Sequence, residues 1–157
     1  MLNRSSHSVF DCRYHLVWTT KYRKRVLLNE QERVDCEGVL RRAAREYGMG
    51  IEALEVDVDH VHTYIQIPPQ RSVGRAVGIL KSVSARFMFK RYPYLKRKLW
   101  AGELWGDGYF ARTVGDGVTA AMVKLYIEQH ADKGLGTAQG ELFREGTPRG
   151  RTGPPRP

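Results

Sequence analysis

The sequence predicts an α+β fold in which helices cover one face of an antiparallel sheet. Three observations support this prediction. Apolar and polar residues alternate with a period of two in several segments, apolar residues recur at helical spacing in others, and the segments follow the order β-α-β-β-α-loop-β-α. That order is typical of a ferredoxin-like (RRM-like) topology, in which the helices lie on the apolar face and the opposite face is polar.

The first half of the chain supplies a strand and a helix. Residues 9–20 alternate, with Tyr14, Leu16 and Trp18 on the apolar face. Asn29 is suited to cap a helix over residues 30–47, which Gly48 ends. The apolar stripe of this helix is expected to contain Val34, Val39, Leu40 and Ala43.

A predicted hairpin follows, with strands over residues 51–59 and 59–67. Ser72 caps the next helix, residues 73–92, and Pro93 ends it. After a loop that contains tryptophan and glycine, residues 109–114 form the last strand and residues 118–133 the last helix. Residues 1–133 are therefore expected to form one domain, and the Gly-, Pro- and Arg-rich residues 134–157 a disordered basic tail.

The segment Asp59-His60-Val61-His62 carries the clearest chemical signal in the hairpin. His60 and His62 are two residues apart on a strand, so both side chains point to the same polar face. Two neutral imidazoles at this spacing can bind one divalent metal ion. Asp59 is placed to orient one imidazole, as carboxylates beside metal-binding histidines commonly do.

The charge of the chain favours a polyanionic partner. The 157 residues carry a formal charge of +9, and a small protein this basic most often binds nucleic acid. No apolar run is long enough to span a membrane, no secretory leader is evident, and two cysteines suit a reducing cytoplasm, in which such a protein would associate with the nucleoid. The cations expected to contact phosphates are Lys21, Arg23, Lys24, Arg25, Arg75, Lys81 and Arg86.

The last predicted helix brings three polar side chains to one face. Tyr126, Gln129 and His130 are related by i, i+3 and i+4 spacing. Gln129 or His130 can supply the third metal ligand that the His60–His62 pair lacks, and Tyr126 is a candidate nucleophile. Helical spacing alone does not select Tyr126 among the eight tyrosines of the chain.

The chain resembles the single-tyrosine HUH transposases of small bacterial insertion sequences. The matching motifs run in order over residues 8–133: Tyr14-His15-Leu16-Val17-Trp18, Lys21-Tyr22-Arg23, Asp59-His60-Val61-His62, Lys81-Ser82-Val83-Ser84-Ala85-Arg86, Leu99-Trp100-Ala101-Gly102-Glu103-Leu104-Trp105 and Tyr126-Ile127-Glu128. His130 stands where the family commonly has a metal-binding glutamine, and glutamine stands one position earlier, at Gln129. We expect His130 to take the ligand role, because the i+4 spacing is kept and imidazole is a good ligand.

The resemblance implies a specific activity. A member of this family cuts and rejoins single-stranded DNA at the ends of its element, and it recognises DNA hairpins near those ends. By resemblance, His60 and His62 hold Mg²⁺ or Mn²⁺, and Tyr126 forms a 5′-phosphotyrosine intermediate. Family members are homodimers that combine the histidines of one subunit with the mobile tyrosine helix of the other, so residues 115–117 are expected to act as a joint.

Other classes of function remain open at the level of sequence. A non-catalytic module that binds single-stranded nucleic acid would share the sheet and the charge, but it leaves the grouping of His60, His62, Tyr126 and His130 unexplained. A metal-dependent hydrolase would use water and form no covalent link to DNA. A relative retained by the host to process palindromic repeats would use the same chemistry as a transposase.

Overall fold

The computed structural model describes residues 3–4, 8–99 and 102–114. Two short strands, β1 (Asn3–Arg4) and β2 (Val9–Phe10), pair with each other. The main elements then follow as β3 (Arg13–Thr19), a 3₁₀ turn (Lys21–Arg23), α1 (Glu30–Glu46), β4 (Gly50–Val56), β5 (His60–Gln66), α2 (Val73–Arg91), α3 (Tyr94–Lys98) and β6 (Phe110–Thr113). None of the helices in these ranges is long and apolar enough to cross a membrane.

The main sheet has four strands in the order β4-β5-β3-β6, and all neighbours are antiparallel. Strands β3 and β4 both run antiparallel to β5, so α1 connects two parallel strands that have β5 between them. Helix α2 connects β5 and β6 around β3 in the same way. This arrangement is the split β-α-β pattern of the ferredoxin-like fold, and it confirms the predicted fold class.

The hydrophobic core lies between the two long helices and one face of the sheet. Leu16, Trp18, Val61 and Ile65 are almost fully buried on that face, as the period-two pattern predicted. Helix α1 buries Cys36, Val39, Leu40, Ala43 and Ala44 against them, and α2 buries Ala76, Val77, Leu80, Ser84 and Met88. Val34 was wrongly placed in the stripe of α1: it is 53% exposed, because it lies on a different side of the helix from Cys36 and Leu40.

Both long helices begin where the sequence predicted. The Asn29 Oδ1 atom accepts a hydrogen bond from the Gln31 N–H at 2.8 Å, and the Ser72 Oγ atom accepts one from the Arg75 N–H at 3.0 Å. These bonds satisfy backbone donors that a helix otherwise leaves free. After α1, Gly48 adopts a φ of +70°, the left-handed conformation that glycine provides at helix ends.

Several boundaries differ from the sequence prediction. The first predicted strand is divided into β2 and β3, and the strand predicted over residues 51–59 ends at Val56 because residues 57–59 form the hairpin turn. Helix α3 was not predicted. The predicted tyrosine helix, with Tyr126, Gln129 and His130, the joint before it and the tail after it all lie outside the described residues.

The face of the sheet opposite the helices is polar in composition, as predicted, but it is not open to solvent. His15, His60, His62, Tyr64 and Gln66 are each less than a tenth exposed. Cross-strand pairing explains which of them are neighbours: Thr19 lies opposite His60, Val17 opposite His62, and His15 opposite Tyr64. The two histidines of the predicted site therefore lie in the middle of the sheet rather than at an edge.

Candidate metal and nucleic-acid site

His60 and His62 form the centre of the candidate site. Their ring centroids are 4.4 Å apart, the rings are nearly perpendicular at 80°, and the side chains are 4% and 6% exposed. Because β5 has a hydrogen-bonded strand on each side, its backbone is held on both edges and the imidazole positions are well defined. The structure thus brings together the pair that the sequence predicted.

Asp59 orients His60. Its Oδ1 atom lies 2.9 Å from His60 Nδ1, and the Asp59 side chain is 11% exposed. An ionised carboxylate can only accept hydrogen bonds, so Asp59 pairs with a proton on His60 Nδ1, and Nε2 is the ring nitrogen left to meet a ligand. The second oxygen of Asp59 lies 3.9 Å from Arg23 Nε. This is the geometry expected of a carboxylate behind a metal-binding imidazole.

A third imidazole lies beside this pair. The ring of His15 stacks on His62 at 5.8 Å and 18°, and meets the ring of Phe110 edge-on at 6.2 Å. Burial, helped by the charge of Arg112, lowers the pKa of His15 to about 4, so this imidazole is neutral at pH 7. Its Nε2 atom is buried and has no hydrogen-bond partner among the residues that the structure describes. The sequence placed His15 on the polar face of its strand, but only the register with β5 brings it beside His62.

The donor set suits a divalent cation but is incomplete within the described ranges. Two neutral imidazoles, one of them oriented by a carboxylate, are ligands that first-row divalent metals accept. Among the residues that the structure describes, no group of three His, Cys, Asp or Glu side chains is arranged to hold a metal ion. The described residues thus supply two candidate ligands, and the predicted third ligands, Gln129 and His130, lie outside them.

The cationic turn after β3 adjoins the site. The Thr20 N–H donates to the Asp59 carbonyl at 2.9 Å, so the turn begins at the residue that orients His60. Arg23, Lys24 and Arg25 are exposed. Lys24 Nζ also donates to the Lys98 carbonyl at 2.6 Å, and Arg23 Nε lies 3.9 Å from Asp59 Oδ2, so contact of these two cations with phosphate stays a prediction.

Two of the predicted DNA-contacting lysines have partners within the chain. Lys21 Nζ lies 2.7 Å from Glu103 Oε2, and this contact raises the pKa of Lys21. Lys81 Nζ donates to the carbonyls of Gly106 and Gly108, at 2.7 Å each, and burial lowers its pKa. These lysines hold the segment after α3 against β3 and α2, a role that the sequence did not indicate. Their contact with DNA stays a prediction.

That segment packs closely against the end of β3. Lys21 N–H donates to the Leu104 carbonyl, and Gly106 N–H donates to the Thr19 carbonyl, both at 2.9 Å. A Cβ atom at Gly106 would lie 3.2 Å from the Thr20 carbonyl oxygen, so any other residue here would push that carbonyl back by a few tenths of an ångström. Trp105 stacks edge-on against Trp18 at 6.1 Å and donates from Nε1 to Ser84 Oγ at 2.8 Å. The predicted loop that contains tryptophan and glycine, of which the structure describes residues 102–108, therefore packs closely beside the site.

The remaining predicted cations, Arg75 and Arg86, lie on α2. Both line a surface groove of about 450 Å³ together with small or short side chains of the same helix face, Gly74, Gly78, Ser82 and Val83. Arg75 and Arg86 are exposed, and small residues between two guanidinium groups leave room for a phosphate backbone. This groove is on the helix layer, whereas the histidine pair is on the opposite face of the sheet.

Comparisons with known proteins bear on the same residues. The model of a family described as "Transposase IS200 like" matches residues 8–130. The ISDra2 transposase TnpA of Deinococcus radiodurans is 41% identical over 125 residues, which cover 80% of this chain and 88% of the relative. The IS200 transposase of Salmonella typhimurium is 30% identical over 128 residues, 82% of each chain.

Solved structures agree with the fold. A crystal structure of a Deinococcus radiodurans chain designated a transposase superposes with a TM-score of 0.65 at 38% identity, covering 81% of this chain and 96% of that one. A REP-associated tyrosine transposase bound to a REP hairpin superposes with a TM-score of 0.53 at 12% identity, covering 82% and 69%, and this likeness shows the fold alone. From the family match and the identity to these relatives, the chain belongs to the IS200-like transposase family.

Proposed function

We propose that this transposase cleaves and rejoins single-stranded DNA at the ends of an insertion sequence through a 5′-phosphotyrosine on Tyr126, with Mg²⁺ or Mn²⁺ bound at His60 and His62. The observation that supports the proposal most strongly is the buried imidazole pair, in which Asp59 holds His60 in one tautomer. A pair of surface histidines without function would have no need of that burial or of a carboxylate partner.

The residues of the site have separate roles in this proposal. His60 and His62 hold the metal ion, with His130 as the favoured third ligand and Gln129 as the alternative. When bound, the ion supplies positive charge that neutralises the phosphate oxygens and orients the scissile group. Asp59 accepts from His60 Nδ1–H and so directs His60 Nε2 toward the metal ion, and the burial of the pair limits competition from water. The role of Tyr126 rests on the sequence resemblance and the family membership.

The chemistry balances without an external energy source. The phenolic oxygen of Tyr126 forms a bond to phosphorus in line with the departing 3′ oxygen. The phenolic proton is lost, and the 3′ oxygen gains a proton to become a free hydroxyl. A 3′-hydroxyl from another strand then reverses these steps and releases Tyr126. One phosphodiester is exchanged for another, which agrees with the absence of a G-x-x-x-x-G-K-[ST] motif from the sequence.

DNA hairpins near the element ends are the proposed partner, and the protein is proposed to act as a homodimer with sites shared between subunits. The charge of +9 and the two separate groups of exposed cations, around Arg23 and around Arg75, support a nucleic-acid contact on both layers of the fold. A REP-associated relative bound to a hairpin has the same fold. Identity of 41% to an insertion-sequence transposase, against 12% to that relative, favours a mobile element over host repeat processing.

A denaturing gel tests the proposal. Labelled single-stranded DNA from the ends that flank the gene is incubated with the protein and Mn²⁺ or Mg²⁺. We expect a protease-sensitive band of protein-linked DNA that is lost with EDTA and in the Tyr126→Phe variant. Tyr94→Phe, an exposed tyrosine on α3, is the matched control and should keep the band. Cleavage without a protein-linked band would indicate a hydrolase, and binding with neither product would indicate a binding module.

A further inference from the structure

The turn that follows β3 has an unusual backbone. Tyr22 and Arg23 are consecutive non-glycine residues with positive φ, 56° and 55°, and within the described residues no other non-glycine residue has positive φ. Left-handed conformations are unfavourable for a bulky side chain such as tyrosine. They persist where the surrounding structure enforces them, and such sites are concentrated where ligands bind.

Contacts on both sides hold this turn in place. The Thr20 N–H donates to the Asp59 carbonyl at 2.9 Å, and the Thr20 hydroxyl donates to the Lys24 carbonyl at 2.6 Å, with the Asp59 carbonyl 3.2 Å from the same Oγ1 atom. The Arg23 N–H donates to the Thr20 carbonyl at 2.8 Å. On the other side of the turn, Lys21 forms an ion pair with Glu103. The backbone of the turn is therefore tied directly to the residue that orients His60.

The result of this anchoring is an exposed aromatic ring. Tyr22 is 79% exposed, while Thr20 is fully buried two residues earlier. The Lys21 ammonium lies 5.5 Å from the ring centroid, and Arg23 beside it extends toward Asp59. A ring that the fold exposes in this way contributes little to the core. Its flat face and the cations around it are suited to a ligand that has both a π-face and a phosphate.

The position of the ring identifies the part of the ligand that it meets. Tyr22 follows Thr20 by two residues, so its Cα lies no more than about 7 Å from that of Thr20. Thr20 itself is hydrogen-bonded to Asp59, the residue before His60. The ring is thus placed to meet a nucleotide adjacent to a phosphate bound at the histidine pair, while Arg23 is placed to meet the backbone of the same strand.

We propose that Tyr22 stacks on the unpaired base of a nucleotide next to the scissile phosphate and so sets which nucleotide enters the site. This inference rests on the proposed function, since it takes single-stranded DNA as the ligand. Stacking on an aromatic side chain tolerates every base, because each base has a π-face. Tyr22 therefore positions the strand without reading its sequence.

Binding measurements in the absence of cleavage test this proposal. Fluorescence anisotropy gives Kd for a single-stranded element end, and for copies in which one nucleotide after another is abasic, in the Tyr126→Phe background. The informative variant is Tyr22→Asn, because asparagine tolerates positive φ and removes only the ring. We expect Tyr22→Asn to weaken binding to intact DNA about 5- to 150-fold. For the oligonucleotide that is abasic at the stacked position, the protein with Tyr22 and the Tyr22→Asn variant should have the same Kd. Tyr22→Phe keeps a ring and should bind every oligonucleotide as the protein with Tyr22 does.

Tyr109→Asn is the matched control. Tyr109 is 45% exposed, and its hydroxyl lies against Gly74 on the helix layer, so any loss of affinity in this variant should be the same for the intact and for every abasic oligonucleotide. If Tyr22→Asn weakens binding to every abasic oligonucleotide by the same factor, or weakens binding to none of them, stacking is refuted. Normal formation of the Tyr126 adduct together with that result would overturn this inference alone. A base-specific loss without any adduct would overturn the proposed chemistry and leave the stacking intact.

Discussion

Replacing Asp59 with asparagine removes the negative charge behind His60 and keeps the size of the side chain. In the structure Asp59 Oδ1 is 2.9 Å from His60 Nδ1, and the Asp59 side chain is 11% exposed, so little water is available to compensate for the loss of its charge. An asparagine oxygen can still accept the Nδ1 proton. The change therefore isolates the electrostatic support that the carboxylate gives to the imidazole as a metal ligand.

The expected loss follows from this geometry. Removing a carboxylate behind a metal-binding histidine typically reduces metal affinity about 10- to 100-fold, which is about 1.4 to 2.7 kcal/mol. Asp59→Asn should lie near the lower value because the hydrogen bond remains. Asp59→Ala, which removes both the charge and the bond, should lie near the upper value.

Calorimetric titration with Mn²⁺ and the Mn²⁺ dependence of adduct formation both measure this loss. Asp57→Asn is the matched control: it removes one carboxylate from the same hairpin turn, and its amide oxygen can still accept the Val58 N–H that Asp57 Oδ1 now accepts at 2.6 Å. Equal shifts of the Mn²⁺ dependence in both variants, or no shift in either, would show that the Asp59 carboxylate does not support metal binding.

Three further predictions concern stability, protonation and assembly. Lys81→Met should lower the free energy of unfolding by about 1–3 kcal/mol, since two loop carbonyls lose a charged donor, whereas Arg75→Met should leave urea unfolding unchanged and reduce the salt dependence of DNA binding. The pKa of His15 is about 4 when folded and about 6.5 when unfolded, so the unfolded chain binds more protons between those values. Stability should therefore fall by up to about 3 kcal/mol as the pH drops from 6.5 to 4, and His15→Phe should lose this part of the pH dependence in urea titrations. Mixed dimers of a Tyr126→Phe chain and a His62→Ala chain should keep part of the cleavage activity, because one shared site then contains both defects and the other neither.

Each of these predictions has an outcome that would contradict it. Equal stability of the Lys81 and Arg75 variants would show that the loop does not depend on Lys81. An unchanged pH profile in His15→Phe would mean that His15 titrates in the ordinary range in the folded protein. Complete inactivity of purified mixed dimers, with each parent dimer also inactive, would show that a site takes its histidines and its tyrosine from the same subunit.

Local patterns were sufficient to predict the histidine pair. A period of two determines that His60 and His62 share a face. Asp59 is next to His60 in sequence, so the hydrogen bond between them depends on local structure alone. The helix caps at Asn29 and Ser72 were predicted for the same reason, since a cap depends on residues within one turn. The order of the elements then predicted the ferredoxin-like topology, because few arrangements of that order bury one apolar face.

What the sequence could not predict depends on register and tertiary contact. His15 reaches His62 only because Val17 pairs opposite His62, and no local pattern contains that alignment. Lys21 and Lys81 looked equivalent to the other cations, and their internal partners lie some 80 and 25 residues away along the chain. The positive φ of Tyr22 likewise depends on the hydrogen bond between Thr20 and Asp59, which lies in the turn between β4 and β5. Residues 21–25 alone therefore do not indicate it.

The most direct test of the central claim is to identify the residue that becomes linked to DNA. Adduct formed with Mn²⁺ is digested with trypsin and nuclease, and the modified peptide is sequenced by mass spectrometry. Cleavage after Lys124 and Lys133 releases residues 125–133, in which Tyr126 is the only tyrosine. We expect the added nucleotide phosphate on that peptide. A phosphate on another tyrosine, such as the exposed Tyr22, or cleavage of DNA with no modified peptide, would contradict the account.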